Sequence, residues 1–180
     1  MHTDIIDKFT THLKHVLSRA LCLVVETKGE SIEPLHLLWA LTTQKGSIGA
    51  EILHKVKVTE KVVDGLFSIP PASVQEVRAQ VESDTPRLSA EAKRAIEKAI
   101  LTANIYEHKY VGTEHLLSGV LQIENGSIKK FLEDRKVEMK TLRQQVTLVL
   151  KSTSKFPDLA ASLGGMAGGD RRPGSFSPDD

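Results

Sequence analysis

The chain has 180 residues, of which 40% are hydrophobic and 26% charged, the balance of a soluble globular protein with one real core. Lys and Arg number 24 against 23 Asp and Glu, and aromatics are only 4%. No basic stripe with interleaved rings is available for nucleic acid, and no strong charge draws the chain to an anionic membrane. A single cysteine, Cys22, excludes an internal disulfide, Asp4 and Asp7 stand where a signal peptide carries positive charge, and no apolar run would span a bilayer. These features predict a cytoplasmic protein.

Taken in chain order, the first predicted element is an amphipathic helix. Leu13, Val16, Leu17, Ala20, Leu21 and Val24 recur at three- and four-residue spacing, Thr10 or Thr11 can cap its start, and Gly29 ends it. Pro34 opens a second helix, because proline is tolerated in a first turn, and Gly46 closes it before a short helix from about Ile48. "VTEKVVDGLF" and "ASVQEVRAQV" read as helices separated by Ile69-Pro70-Pro71, which must break regularity. Ser89 is the next N-cap, with Glu91 in the first turn, and Ala92, Ala95, Ile96, Ala99, Ile100 and Ala103 form a buried face small enough for close helix packing.

Thr113 caps a helix that Gly126 closes, a short helix starts near Ile128, and a last one runs from Val137 to Lys151 on Leu142, Val146, Val149 and Leu150. Residues 152–180 are rich in glycine, serine and proline and read as a flexible tail or linker. Little of the chain alternates with period two, so sheet content is expected to be negligible.

The same unit is written twice. "SIEPLHLLWALTTQKGSI" (31–48) returns as "YVGTEHLLSGVLQIENGSI" (110–128). A shift of 79 positions places Thr10 on Ser89, Ala20 on Ala99, Ile32 on Val111, His36 on His115 and Leu37-Leu38 on Leu116-Leu117. One extra residue then aligns Gly46-Ser47-Ile48 with Gly126-Ser127-Ile128. Small and apolar positions match while surface charges do not, as expected of a duplicated core. The fold class is therefore all-α, with two tandem four-helix repeats related by a pseudo-twofold axis. Repeat one covers about 5–68, a connecting segment 69–86, and repeat two 87–151.

Two such repeats, with "VGTEHLL" opening the second helix of a copy, resemble the N-terminal domain of Clp-type ATP-driven unfoldases. The first copy looks more like the ClpB branch and the second more like the ClpC and ClpA branch. The resemblance implies a non-catalytic domain that docks unfolded or tagged substrates and adaptor proteins and delivers them to a Clp ATPase ring and peptidase. It implies no cofactor. In the ClpC branch each half also holds a pocket for phosphorylated arginine. Carried over, the second pocket uses Ser89 and Glu114 with Thr113 beside it, while the first would use Thr10 and Leu35. Leucine accepts no hydrogen bond from a guanidinium, so one pocket is expected to be lost. A free-standing relative that acts on a Clp machine in trans is the alternative, ahead of a small hydrolase or a metal sensor.

Several residues carry a plainer reading beside the functional one. Glu114 suits a helix's first turn through the macrodipole alone. His36 and His115 are expected to be satisfied structural groups, His12 and His15 an exposed pair without a third metal ligand, and Cys22 a core residue. Trp39, whose counterpart is Ser118, is expected to be buried. No Gly-x-x-x-x-Gly-Lys-Ser/Thr occurs anywhere in the chain, so no P-loop is present to bind ATP.

Overall fold

The computed structural model describes residues 4–65, 67 and 86–152, apart from the side chain of Asp64. After a short 3-10 turn at Ile5–Lys8 come α1 (Thr11–Glu26), β1 (Ser31–Ile32), α2 (Pro34–Thr43), α3 (Ile48–Lys55) and α4 (Glu60–Asp64). The second half holds β2 (Arg87–Leu88), α5 (Ala90–Ile105), α6 (Thr113–Gln122), α7 (Gly126–Asp134) and α8 (Met139–Ser152). Four helices in each half confirm the all-α, two-repeat reading. The proposed helix "ASVQEVRAQV", the Pro70-Pro71 break and the tail lie outside the described residues, apart from Ser152, which ends α8.

The helices begin where local chemistry says they should. The hydroxyls of Thr10, Ser47 and Ser89 accept the amides of Leu13, Ala50 and Ala92 at 3.2, 3.2 and 3.0 Å, and Asn125 accepts that of Ile128 at 3.0 Å. Four helices end alike. Lys28, Lys57, Glu107 and Lys136 turn left-handed at φ of 53, 66, 56 and 58°. The next residue's amide then reaches back to satisfy a last-turn carbonyl: Gly29 to Val24, Val58 to Leu53, His108 to Ala103 and Val137 to Leu132, at 2.8 to 3.0 Å. Lys28, not Gly29, takes the strained position expected of a glycine.

Two further expectations are corrected. Thr113 is no cap: Gly112 holds that position, and Thr113 is 2% exposed with its hydroxyl accepting the amide of Gly49 at 2.9 Å. Gly126 does not close α6, which ends at Gln122; it is the first residue of α7. The Gly-Ser-Ile match is thus a coincidence of letters. Ser47 caps α3 where Asn125 caps α7, and Ile48 is exposed where Ile128 is buried.

The little sheet present joins the halves. β1 and β2 pair in parallel, Ile32 opposite Leu88, and an isolated parallel bridge joins Phe9 to Val111. Under the repeat these two seams are the same contact with the halves exchanged. The amide of Ser89 donates to Ile32 at 3.0 Å and that of Thr10 to Val111 at 2.9 Å. Each half therefore anchors the N-cap of the other half's long helix, which is the signature of a pseudo-twofold axis between them.

One continuous core runs through both halves, including Leu37, Leu38, Leu116 and Leu117, all fully buried. The alanine face of α5 does bring α6 close: a Cβ on Gly119 would lie 2.1 Å from the Ala95 carbonyl oxygen. The corresponding pair in the first half is Val16 and Ala40, which need more room. Trp39 fills that half, 4% exposed, with the Arg19 guanidinium 5.8 Å from its ring centre. Cys22 is half-buried, outside the core expected for it.

Candidate functional site

The start of α6 is the most chemically loaded corner of the molecule. Gly112 has extended backbone (φ −111°, ψ −174°), and the following residues turn into the helix so that His115 swings back over the cap. Its Nδ1 accepts the Gly112 amide at 2.8 Å, which places the ring proton on Nε2, where it is donated to His108 Nδ1 at 2.7 Å. The ring is 1% exposed, and burial together with neighbouring His108 lowers its pKa to about 4.

Glu114 folds back against the same cap. A Cβ on Gly112 would stand 2.7 and 2.8 Å from the two carboxylate oxygens, so any larger residue would push the carboxylate out of this position. The residue is 7% exposed, and burial raises its pKa, opposed by a hydrogen bond from its own amide. Its Oε1 lies 3.2 Å from His115 Nδ1. That approach is not an ion pair, because Nδ1 is unprotonated and already accepts from Gly112. Among the described residues no Lys or Arg pairs with this carboxylate.

The seams regroup the predicted residues. Ser89 caps α5 beside Ile32, and its neighbour Glu91 accepts from Asn125, beyond the far end of α6. Thr10, whose amide donates to Val111, is the cap tied to the segment that leads into Gly112 and Glu114. The resemblance pairs Ser89 with Glu114 and Thr10 with Leu35; the backbone bond of Ser89 runs to Ile32, three residues before half-buried Leu35. Thr113 stands next to this corner but serves Gly49.

The first half has its own version of the histidine cap. His36 Nδ1 accepts the Glu33 amide at 2.8 Å, its ring stacks on Phe67 at 5.2 Å, and burial lowers its pKa, partly offset by Glu33. Both repeated histidines are thus structural groups. An acid also survives here, displaced: Glu33 occupies the position of Gly112 and takes the Ser31 hydroxyl at 2.7 Å. Sequence reasoning passes over Glu33 and His108 and gives Gly112 no role of its own within "VGTEHLL". Gly112 and Glu33 stand opposite each other in the repeat, which was the available signal for these two. His12 and His15 are exposed, and His12 meets the Gln44 amide at 3.0 Å.

A duplicated helical domain, with exchanged caps and an acid held at one helix start, is the class of protein that fold and site define. The chain matches the Clp repeat (R) N-terminal domain family over residues 8–134 and again over 87–163, and it belongs to that family. It is 30% identical over 120 residues to "Chaperone protein ClpB" of Rhodopirellula baltica, covering 67% of this chain and 13% of that one. It is 29% identical over 146 residues to "Negative regulator of genetic competence ClpC/MecB" of Bacillus subtilis, covering 81% and 17%. Thus the chain spans less than a fifth of the length of these relatives. Its fold is shared with the N-terminal domain of ClpD from Arabidopsis thaliana (TM-score 0.62, 18% identity, covering 84% of this chain and 100% of that one). It is shared also with the Hsp104 N-terminal domain of Candida albicans (TM-score 0.62, 20% identity, 82% and 95%). No described helix is long and apolar enough to cross a membrane.

Proposed function

We propose that this domain docks unfolded or tagged protein substrates, or the adaptors that carry them, for a Clp-type ATP-dependent unfoldase, and performs no chemistry itself. The observation that carries the reading is the Glu114 carboxylate, kept nearly buried at the Thr10–Val111 corner with no cationic side chain of its own among the described residues. A buried acid without a cation is costly to maintain and is ready to accept one from a ligand. The nearby start of α1, a 16-residue helix, favours an anion through its dipole. Phosphoarginine carries both charges, its guanidinium suited to Glu114 and its phosphate to the Thr10 end of α1.

Calorimetric titration of the purified chain with free phosphoarginine tests the pocket, with one site per chain expected and two equivalent sites contradicting it. Docking itself is tested with a labelled, permanently unfolded protein, and steady ATP turnover by the pure chain would overturn the reading.

A further inference from the structure

The His115 ring has no vacant place for a second proton. Nε2 already gives its proton to His108, and the Nδ1 lone pair already takes the Gly112 amide. Yet Glu114 Oε1 stands 3.2 Å from that same Nδ1, a contact that lacks only a proton to become a hydrogen bond. Whichever atom formally holds that proton, the Nδ1 lone pair is then engaged with Glu114, and Gly112 loses its acceptor.

We propose that Glu114 and His115 form a one-proton latch: uptake of a proton joins the two side chains, frees the Gly112 amide and loosens the seam that ties Val111 to Phe9 and Thr10. Gly112 directly follows Val111, whose amide and carbonyl hold Lys8 and Thr10 at 2.8 and 2.9 Å. The Gly112 amide and the Val111 carbonyl that holds Thr10 belong to one planar peptide unit, so a change at the first acts on the second.

The groups that bear on the latch are few. Glu114 comes from α6 itself and His108 from the connection after α5, with Tyr106 stacked on His108 at 5.9 Å. α5 packs most extensively on α6, with α1, α2, α3 and α8 also against it, and Glu107 and Lys109 flank His108 on the connection after α5. The groups bonded to the His115 ring are the Gly112 amide and His108. Burial pushes Glu114 up, and burial with neighbouring His108 pushes His115 down; the 3.2 Å contact is what lets one added proton be shared between them. The other seam lacks the carboxylate half of the device: Leu35 stands at the place of Glu114, and the Glu33 carboxylate takes the Ser31 hydroxyl. His36 still accepts the Glu33 amide at 2.8 Å, so what sets the first seam apart is the Glu114 contact.

The latch also removes the Glu114 carboxylate from a cationic ligand at low pH; that consequence rests on the docking reading, whereas the latch itself does not. The test is a nuclear magnetic resonance titration of the full chain from about pH 7 to about pH 2, following the His115 ring nitrogens and backbone amides. The His115 Nδ1, Gly112 amide and Thr10 amide signals should move with a common midpoint that depends on Glu114. Glu114→Gln should lower that midpoint by about one pH unit, because the attracting charge is gone. A Gly112 or Thr10 amide that stays put as His115 titrates, or a midpoint unchanged in Glu114→Gln, would overturn the proposal. Should the variant fail to fold, the Glu114 carboxyl carbon signal of the unaltered chain decides: it should share the His115 midpoint, and a separate midpoint would overturn the proposal. Phosphoarginine that fails to bind at neutral pH, with the latch signals intact, would sink the docking reading only.

Discussion

The amide of Thr10 donates to the carbonyl of Val111 across 2.9 Å, and this bond decides which hydroxyl shares a corner with Glu114. Thr10→Ala and Ser89→Ala each remove an N-cap and should each cost about 1 kcal/mol of stability. Only Thr10→Ala should also weaken phosphoarginine binding. Glu114→Ala should abolish it, a loss of about 1.5–3 kcal/mol of charged hydrogen bonding, while Leu35→Ala leaves it intact. Calorimetry on the four variants checks the order, and equal effects of Thr10 and Ser89 would refute the corner.

Acidification should expose the buried imidazole. His115 is held near a pKa of about 4 when folded against 6.5 when unfolded, so the unfolded state binds more protons between those values. Stability contributed by this residue is therefore full above pH 6.5 and falls as pH drops toward 4, by about 3 kcal/mol at most. Glu114 acts in the opposite sense, because its raised pKa makes protonation favour the fold. The comparison that isolates His115 is with His115→Gln, whose amide oxygen can still accept the Gly112 amide. Denaturant titrations at several pH values should show the wild-type chain losing ground to the variant on acidification.

Gly119→Ala should be among the most damaging small substitutions in the chain. The added methyl would meet the Ala95 carbonyl, backbone that cannot move without shifting α5, at a cost of about 1–3 kcal/mol or more. An alanine, Ala40, already stands buried at the equivalent point of the first half, so the penalty belongs to the α5–α6 crossing. Thermal melts would show it.

Leu116 is fully buried, and Leu116→Asp would place an unpaired charge in the core at a cost of about 3–5 kcal/mol. A variant that melted like its parent would contradict the helical register. In the other direction, Lys136→Gly relieves a side chain held at φ 58° and should stabilise the chain by about 0.5–1 kcal/mol in urea titrations.

What was legible in the sequence was local. Thr10, Ser89 and Pro34 announce helix starts through chemistry confined to one turn, and the Leu37-Leu38 and Leu116-Leu117 pairs follow a helical period. The ends were less legible, because Lys28 accepts a strained backbone that a neighbouring glycine was expected to take. The corner itself was hidden. Thr10 and Glu114 are brought together only because each half crosses to hold the other's cap, and a shift-based alignment of the two copies assigns partners within a half. Gly112 was read as part of a motif, yet its role is steric: it leaves room for a carboxylate two residues on.

The central claim is that this domain captures protein chains and leaves the work to another component. Its most direct test is fluorescence anisotropy of a labelled, permanently unfolded protein titrated with the purified chain. The account predicts reversible binding with a Kd of about 1 μM or weaker, as suits transient delivery. It also predicts displacement by free phosphoarginine when the label protein carries that modification, and loss of this displaceable part in Glu114→Ala. Absence of binding to any unfolded protein, modified or not, at chain concentrations of about 1 mM would contradict it.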